Sequence, residues 1–160
     1  MNDSKKVNLL LTLAFLFLET FFIYFVLTKG SARAALIGIQ PLLNRGVDIF
    51  VLSTVLSVIF AFALLLLQYA IGRLLIRMFF SGKPDFFCYI LPRDCAIAVN
   101  ILLFCYLSIN NQILFSIIVL FSTIFTSILF YKKVKSLAQA FVFGIPIYAD
   151  ALISILLSLN

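Results

Sequence analysis

Five apolar runs, at residues 7–28, 49–72, 94–109, 112–131 and 138–159, occupy most of this chain and restrict the folds open to it. All but the third are at or near the ~20 residues needed to cross a hydrocarbon core ~30 Å thick. The chain is 64% hydrophobic and 11% charged, against roughly 45–50% apolar and ~25% charged in soluble domains. That imbalance argues against a water-soluble monomer. The expected fold is all-α, a polytopic transmembrane bundle of five spans forming a single integral membrane domain over residues 1–160. Residues 94–109 make the shortest run, so tilt or local thinning would have to cover the deficit.

The net charge of +6 reads as a topology signal rather than a nucleic-acid footprint. Lys5 and Lys6 precede the first span, Arg73, Arg77, Lys83 and Arg93 follow the second, and Lys132, Lys133 and Lys135 follow the fourth. Only Lys29, Arg33 and Arg45 fall on the other side. Cytoplasmic loops collect Lys and Arg, so the N-terminus is expected inside and the C-terminus outside. Arg73, Arg77, Lys83, Arg93, Lys132, Lys133 and Lys135 then form an inner surface facing lipid headgroups. The aromatics Phe79, Phe80, Phe86, Phe87 and Tyr89 are read with them as an interfacial segment. On the outer side, the apolar stretch between Lys29 and Asp48 predicts a short interfacial helix broken at Pro41. Ala32-Arg33-Ala34 has the small-x-small form of a signal cleavage site, but ~22 apolar residues exceed the 7–15 of a signal core, so the first span is expected to be retained.

Functional residues are sparse. With no His, the commonest transition-metal ligand and general base are missing, and Cys88, Cys95 and Cys105 have no metal or redox spacing and read as packing residues. Phosphate-binding loops and nucleophile motifs are also lacking, so no cofactor is expected and the chain is read as non-enzymatic. Tyr148-Ala149-Asp150-Ala151 matches one aspartate motif of lipoprotein signal peptidases, but the second is absent, which argues against proteolysis.

Glu19 lies in the middle of the first span, where an ionised carboxylate costs ~3 kcal/mol on insertion scales. It is expected to be a proton or cation site, to meet a cation on another subunit, or to be a neutral carboxyl making one hydrogen bond. Asp150 falls at a similar depth in the fifth span, and the two share a site if the first and last helices are neighbours. Asn100 completes the candidate polar interior. Gln68, Ser116, Ser122, Thr123, Thr126 and Ser127 read as interhelical glue. Gly144 and Pro146 mark a helix break that either opens a cavity or accommodates a neighbouring helix.

From residue 50 to residue 160 the order of features resembles the Yip1 family of five-span membrane proteins. The resemblance is carried by Ser81-Gly82-Lys83-Pro84-Asp85-Phe86-Phe87 after a span ending in basic residues, and by the basic link Lys132-Lys133-Val134-Lys135 into the terminal span. The family's alanine-proline start to the third span is replaced here by Leu91-Pro92-Arg93-Asp94, and the long N-terminal region of eukaryotic members is missing. The resemblance implies a five-span scaffold, while the missing region argues against a role in binding small GTPases; a bacterial inner membrane is expected rather than a eukaryotic endomembrane. The scarcity of soluble sequence, the lack of catalytic motifs and buried polar groups that need partners make the leading expectation a scaffold or small subunit of a secretion, trafficking or transport assembly, with lipids and other subunits or its own copies as partners. The alternative is a small ion- or proton-coupled transporter using Glu19 and Asp150.

Overall fold

The computed structural model describes residues 3–30, 33, 37, 38, 48–80 and 82–159. They form five helices: α1 (Asp3–Lys29), α2 (Ile49–Phe80), α3 (Phe86–Tyr106), α4 (Gln112–Val134) and α5 (Leu137–Leu159). All five are long and apolar enough to cross a membrane, so the chain is a multi-pass integral membrane protein built as an all-α, five-span bundle. The interfacial helix expected between Lys29 and Asp48 lies almost wholly outside the described residues.

The third span differs most from expectation. It begins at Phe86 rather than near residue 94, because Asp85 caps it: Asp85 is extended (φ −114°, ψ 111°) and its carboxylate accepts from the Cys88 amide at 3.1 Å. The apolar run Phe86 to Leu91 thus belongs to the helix. At ~1.5 Å per residue its 21 residues reach roughly 31 Å, and the expected deficit disappears. Pro92 lies inside this helix rather than before it, as membrane helices tolerate when neighbours surround the freed carbonyl.

Helix α2 is likewise longer than expected, running past Gly72 to Phe80. Gly72 does not end the helix; it serves a close approach, since a Cβ there would sit 2.9 Å from the backbone oxygen of Phe143 on α5. Arg73 and Arg77 therefore occupy the last turns of α2, exposed, and only residues 81–85 link α2 to α3. Tyr89, grouped with the headgroup aromatics from sequence, is 1% exposed.

Helix α4 is capped at both ends. Asn111 accepts from the Leu114 amide at 3.1 Å to start α4. Lys135 adopts the left-handed conformation (φ 54°) and donates its N–H to Tyr131 O at 2.7 Å to end it. Lys132 and Lys133 in that last turn complement the negative end of the helix dipole.

The helices close into a ring. α1 packs on α2 and α3, α4 on α3 and α5, and α5 on α2. Lipid is as apolar as leucine, so helix association rests on packing and internal polar contacts rather than on the hydrophobic effect. In the half of the ring near the α2–α3 link, Phe15, Ile76, Tyr89, Ile90, Phe130, Phe143 and Ile147 are buried, with Phe130 and Phe143 stacked at 4.5 Å. Gly144 admits α4 to α5: a Cβ there would lie 3.1 Å from Ser127 Oγ and 3.3 Å from Thr123 Cγ2. Helix α5 runs unbroken through Gly144 and Pro146, so these two residues do not divide it.

Candidate functional site

Glu19 is placed by the face it shares with Phe15 one turn earlier, and the two are 4% and 0% exposed. Arg93, on α3, points to the same level from the other side. Assigned from sequence to the inner headgroup surface, it is instead 4% exposed; the reason is the early start of α3, which carries it two turns into the bundle. Its Nη2 lies 3.8 Å from Glu19 Oε1 and 3.6 Å from Asp150 Oδ2. One guanidinium thus stands between two carboxylates on α1 and α5.

A hydrogen-bond chain extends this cluster. Tyr89 OH donates to Gln68 Oε1 at 3.0 Å, and Gln68 Nε2 donates to Asp150 Oδ2 at 2.9 Å. Helices α1, α2, α3 and α5 are joined through it. Asn100, seven residues along α3 from Arg93 and on the same face, is 1% exposed and donates through Nδ2 to Phe115 O at 3.4 Å. The arrangement answers the condition set by the sequence in an unforeseen way. α1 and α5 are not among the main packing pairs of the ring, and Arg93 rather than direct helix contact links Glu19 to Asp150.

The cluster opens into a cavity of about 200 Å³ whose polar wall comprises Glu19, Arg93, Asn100, Ser116, Asp150 and Ser154, with Asn110 and Gln112 at the α3–α4 turn. The cavity therefore runs from mid-bundle toward the end that carries the α3–α4 link. Buried polar atoms there lack partners among the described residues: Arg93 Nε and Nη1, Asn100 Oδ1 and, one residue along α3, both oxygens of Asp94. Unpaired buried groups of this kind are costly and mark a place where water or a ligand can be held.

No family model, curated protein or solved structure matches this chain.

Among the described residues no group of three or more His, Cys, Asp or Glu could hold a metal ion. The expected hydroxyl glue on α4 behaves differently from the sequence reading. Ser122 and Thr123 donate to Val119 O, and Thr126 to Ser122 O. These hydroxyls thus satisfy themselves on their own helix, and Ser127 reaches across to Tyr148 OH at 3.3 Å.

A second polar contact lies at the α2–α3 link. Lys133 Nζ donates to Asp85 Oδ2 and lies 5.8 Å above the Phe87 ring. Burial alone would raise the Asp85 carboxyl. The Lys133 hydrogen bond, the Cys88 and Phe87 amides and the Lys133 charge outweigh it and hold Asp85 below the usual carboxylate range. Lys83, Lys132 and Lys135 are exposed near the same link.

Proposed function

We propose that this chain is a small ion- or proton-coupled carrier whose coupling site is Glu19, Arg93 and Asp150. A single observation carries the reading: two carboxylates share one guanidinium at the wall of a polar cavity inside the bundle. One positive charge offsets one carboxylate and leaves the other uncompensated, which is expensive at membrane depth. Such a site is neutral only when it holds a proton or a cation, and a group that gains and loses charge on loading is what coupled transport requires. The cavity reaches toward one end of the bundle, and the aromatic layer of Phe15, Tyr89, Phe130 and Phe143 fills the other, as in a carrier open to one side.

The test is proton uptake into vesicles reconstituted with the purified protein and loaded with a pH-sensitive dye. Wild-type vesicles should acidify under an imposed gradient, and Glu19→Gln, which keeps the side chain's size, should lower the rate at least about tenfold. Equal rates in the variant, or a wild-type rate no greater than that of empty vesicles, would remove the proposal.

A second reading, a scaffold or small subunit of a membrane assembly, is what the resemblance to the Yip1 family implies. It is favoured by the aromatic ladder on α1, where Phe17 and Phe21 are exposed and stack at 6.3 Å, with Phe25 4.6 Å beyond Phe21. This reading differs from the first in requiring a stoichiometric partner on that face.

A further inference from the structure

Resting on the carrier reading, we infer that the cavity is a binding site for a small primary ammonium ion, which competes with a proton for Glu19 and Asp150. Along the cavity wall, Glu19 and Asp150 ionised with Arg93 between them leave one negative charge in excess, and one monovalent cation closes the balance; an anion worsens it.

Hydrogen-bond chemistry narrows the cation. An ammonium presents three N–H donors, and the cavity wall supplies acceptors from three helices: Glu19 on α1, Asn100 on α3 and Asp150 on α5. The Asn100 acceptor is the independent sign of a ligand, because its Oδ1 is buried and unpartnered while its Nδ2 is engaged with Phe115 O. Among the described residues Glu19 makes no side-chain hydrogen bond, and Arg93 Nη2 stands 3.8 Å away, a separation that leaves its oxygens open to a better donor.

Size and lining narrow it again. About 200 Å³ is below the ~300 Å³ at which drug-sized pockets begin and several times the ~30 Å³ share of one water. Phe22, Val26, Leu64, Phe115 and Val119 complete the wall, so the space suits a short alkyl tail behind the charged head. In this scheme Arg93 is a tethered competitor: it pairs with both acids in the empty site and yields them when the ammonium arrives. Titratable or polar groups facing the same cluster are Asp94 and Tyr89 on α3 and Gln68 on α2, and none of these lines the cavity.

The experiment measures binding of radiolabelled n-propylammonium to the full chain in lipid nanodiscs. Saturable one-site binding is expected at pH 8, weakening progressively as the pH is lowered and protons compete for the site. Unlabelled n-propanol, the same tail without charge, should not displace it, and sodium chloride should displace it far less than unlabelled propylammonium.

Neutralising either acid removes the excess charge, so Glu19→Gln and Asp150→Asn should each weaken binding at least about tenfold, whereas Arg93→Gln, which removes the competitor, should tighten it. That opposite pair of signs is not produced by a general loss of structure. Equal displacement by propanol or sodium, pH-independent binding, or undiminished binding in both acid variants overturns the inference. Should a variant fail to fold, the wild-type pH and competitor series decides alone. Proton uptake by wild-type vesicles without propylammonium binding sinks this inference and spares the carrier reading; absence of proton uptake removes the carrier reading itself.

Discussion

Arg93 is the residue on which the interior depends. Its guanidinium is within 4 Å of carboxylates on two other helices, so removing it leaves the buried Glu19 and the partly exposed Asp150 without a counter-charge. Breaking a buried pair from one side typically costs ~3–5 kcal/mol, more than the pair itself contributes. Arg93→Ala is therefore expected to lower the thermal unfolding midpoint in mild detergent sharply. Combining it with Glu19→Gln and Asp150→Asn should recover much of that loss, because no charge then remains to be compensated. If the triple variant is no more stable than the single one, charge imbalance is not what holds these helices together. Glu19, Asp150 and Asn100 were legible in the sequence as polar residues inside apolar runs. Arg93 was not, because it follows Pro92 in a stretch that reads as a connection. The signal available was its spacing from Asn100, two turns along one helical face, and it becomes visible only once α3 is started at Asp85.

At the scale of elements, boundaries were harder to read than existence. Gly72 closes the second apolar run and Pro92 precedes the third, yet both lie inside helices: Gly72 because α5 presses its backbone against it, Pro92 because neighbouring helices enclose it, at a cost the sequence does not reveal. The true start of α3 is set by Asp85, which both caps the helix and receives Lys133 from the end of α4. These two roles separate by substitution. Asp85→Asn keeps an N-capping side chain and loses the charge, so stability should change by no more than ~0.5 kcal/mol at this largely exposed pair. Asp85→Ala loses the cap as well and should cost ~1 kcal/mol. Since Asp85 titrates below its ordinary range, its contribution is complete above the unfolded value of ~3.9 and fades as pH falls through the lower folded value. Thermal melts of wild type and Asp85→Asn should therefore converge in acid and stay apart at neutral pH; parallel curves throughout would mean the Lys133 contact carries no stability.

For the whole molecule, the fold class was the most legible feature, since five apolar runs of near-membrane length admit few architectures. The ring order was not legible, because apolar residues face lipid and neighbouring helices alike. Orientation follows from charge, and the structure sharpens that argument by removing Arg93 from the surface count. The end carrying the α2–α3 and α4–α5 links still has Lys5, Lys6, Arg73, Arg77, Lys83, Lys132, Lys133 and Lys135, against Lys29 and Arg33 among the described residues of the other end. The end assignment is structural: Tyr24 to Lys29 of α1 share a cavity wall with Ile49 and Phe50 of α2, and Phe25 of α1 meets Phe104 of α3 at 5.9 Å. The basic end should therefore face the cytoplasm, which directs the mouth of the cavity, at Asn110 and Gln112, to the outside. In a variant with Cys88, Cys95 and Cys105 replaced by Ser, a single cysteine at Lys83 should react with a membrane-impermeant maleimide only after the cells are opened. One at Asn110 should react in intact cells. The reverse pattern would turn the cavity toward the cytoplasm and reverse the side from which a carried ion is loaded.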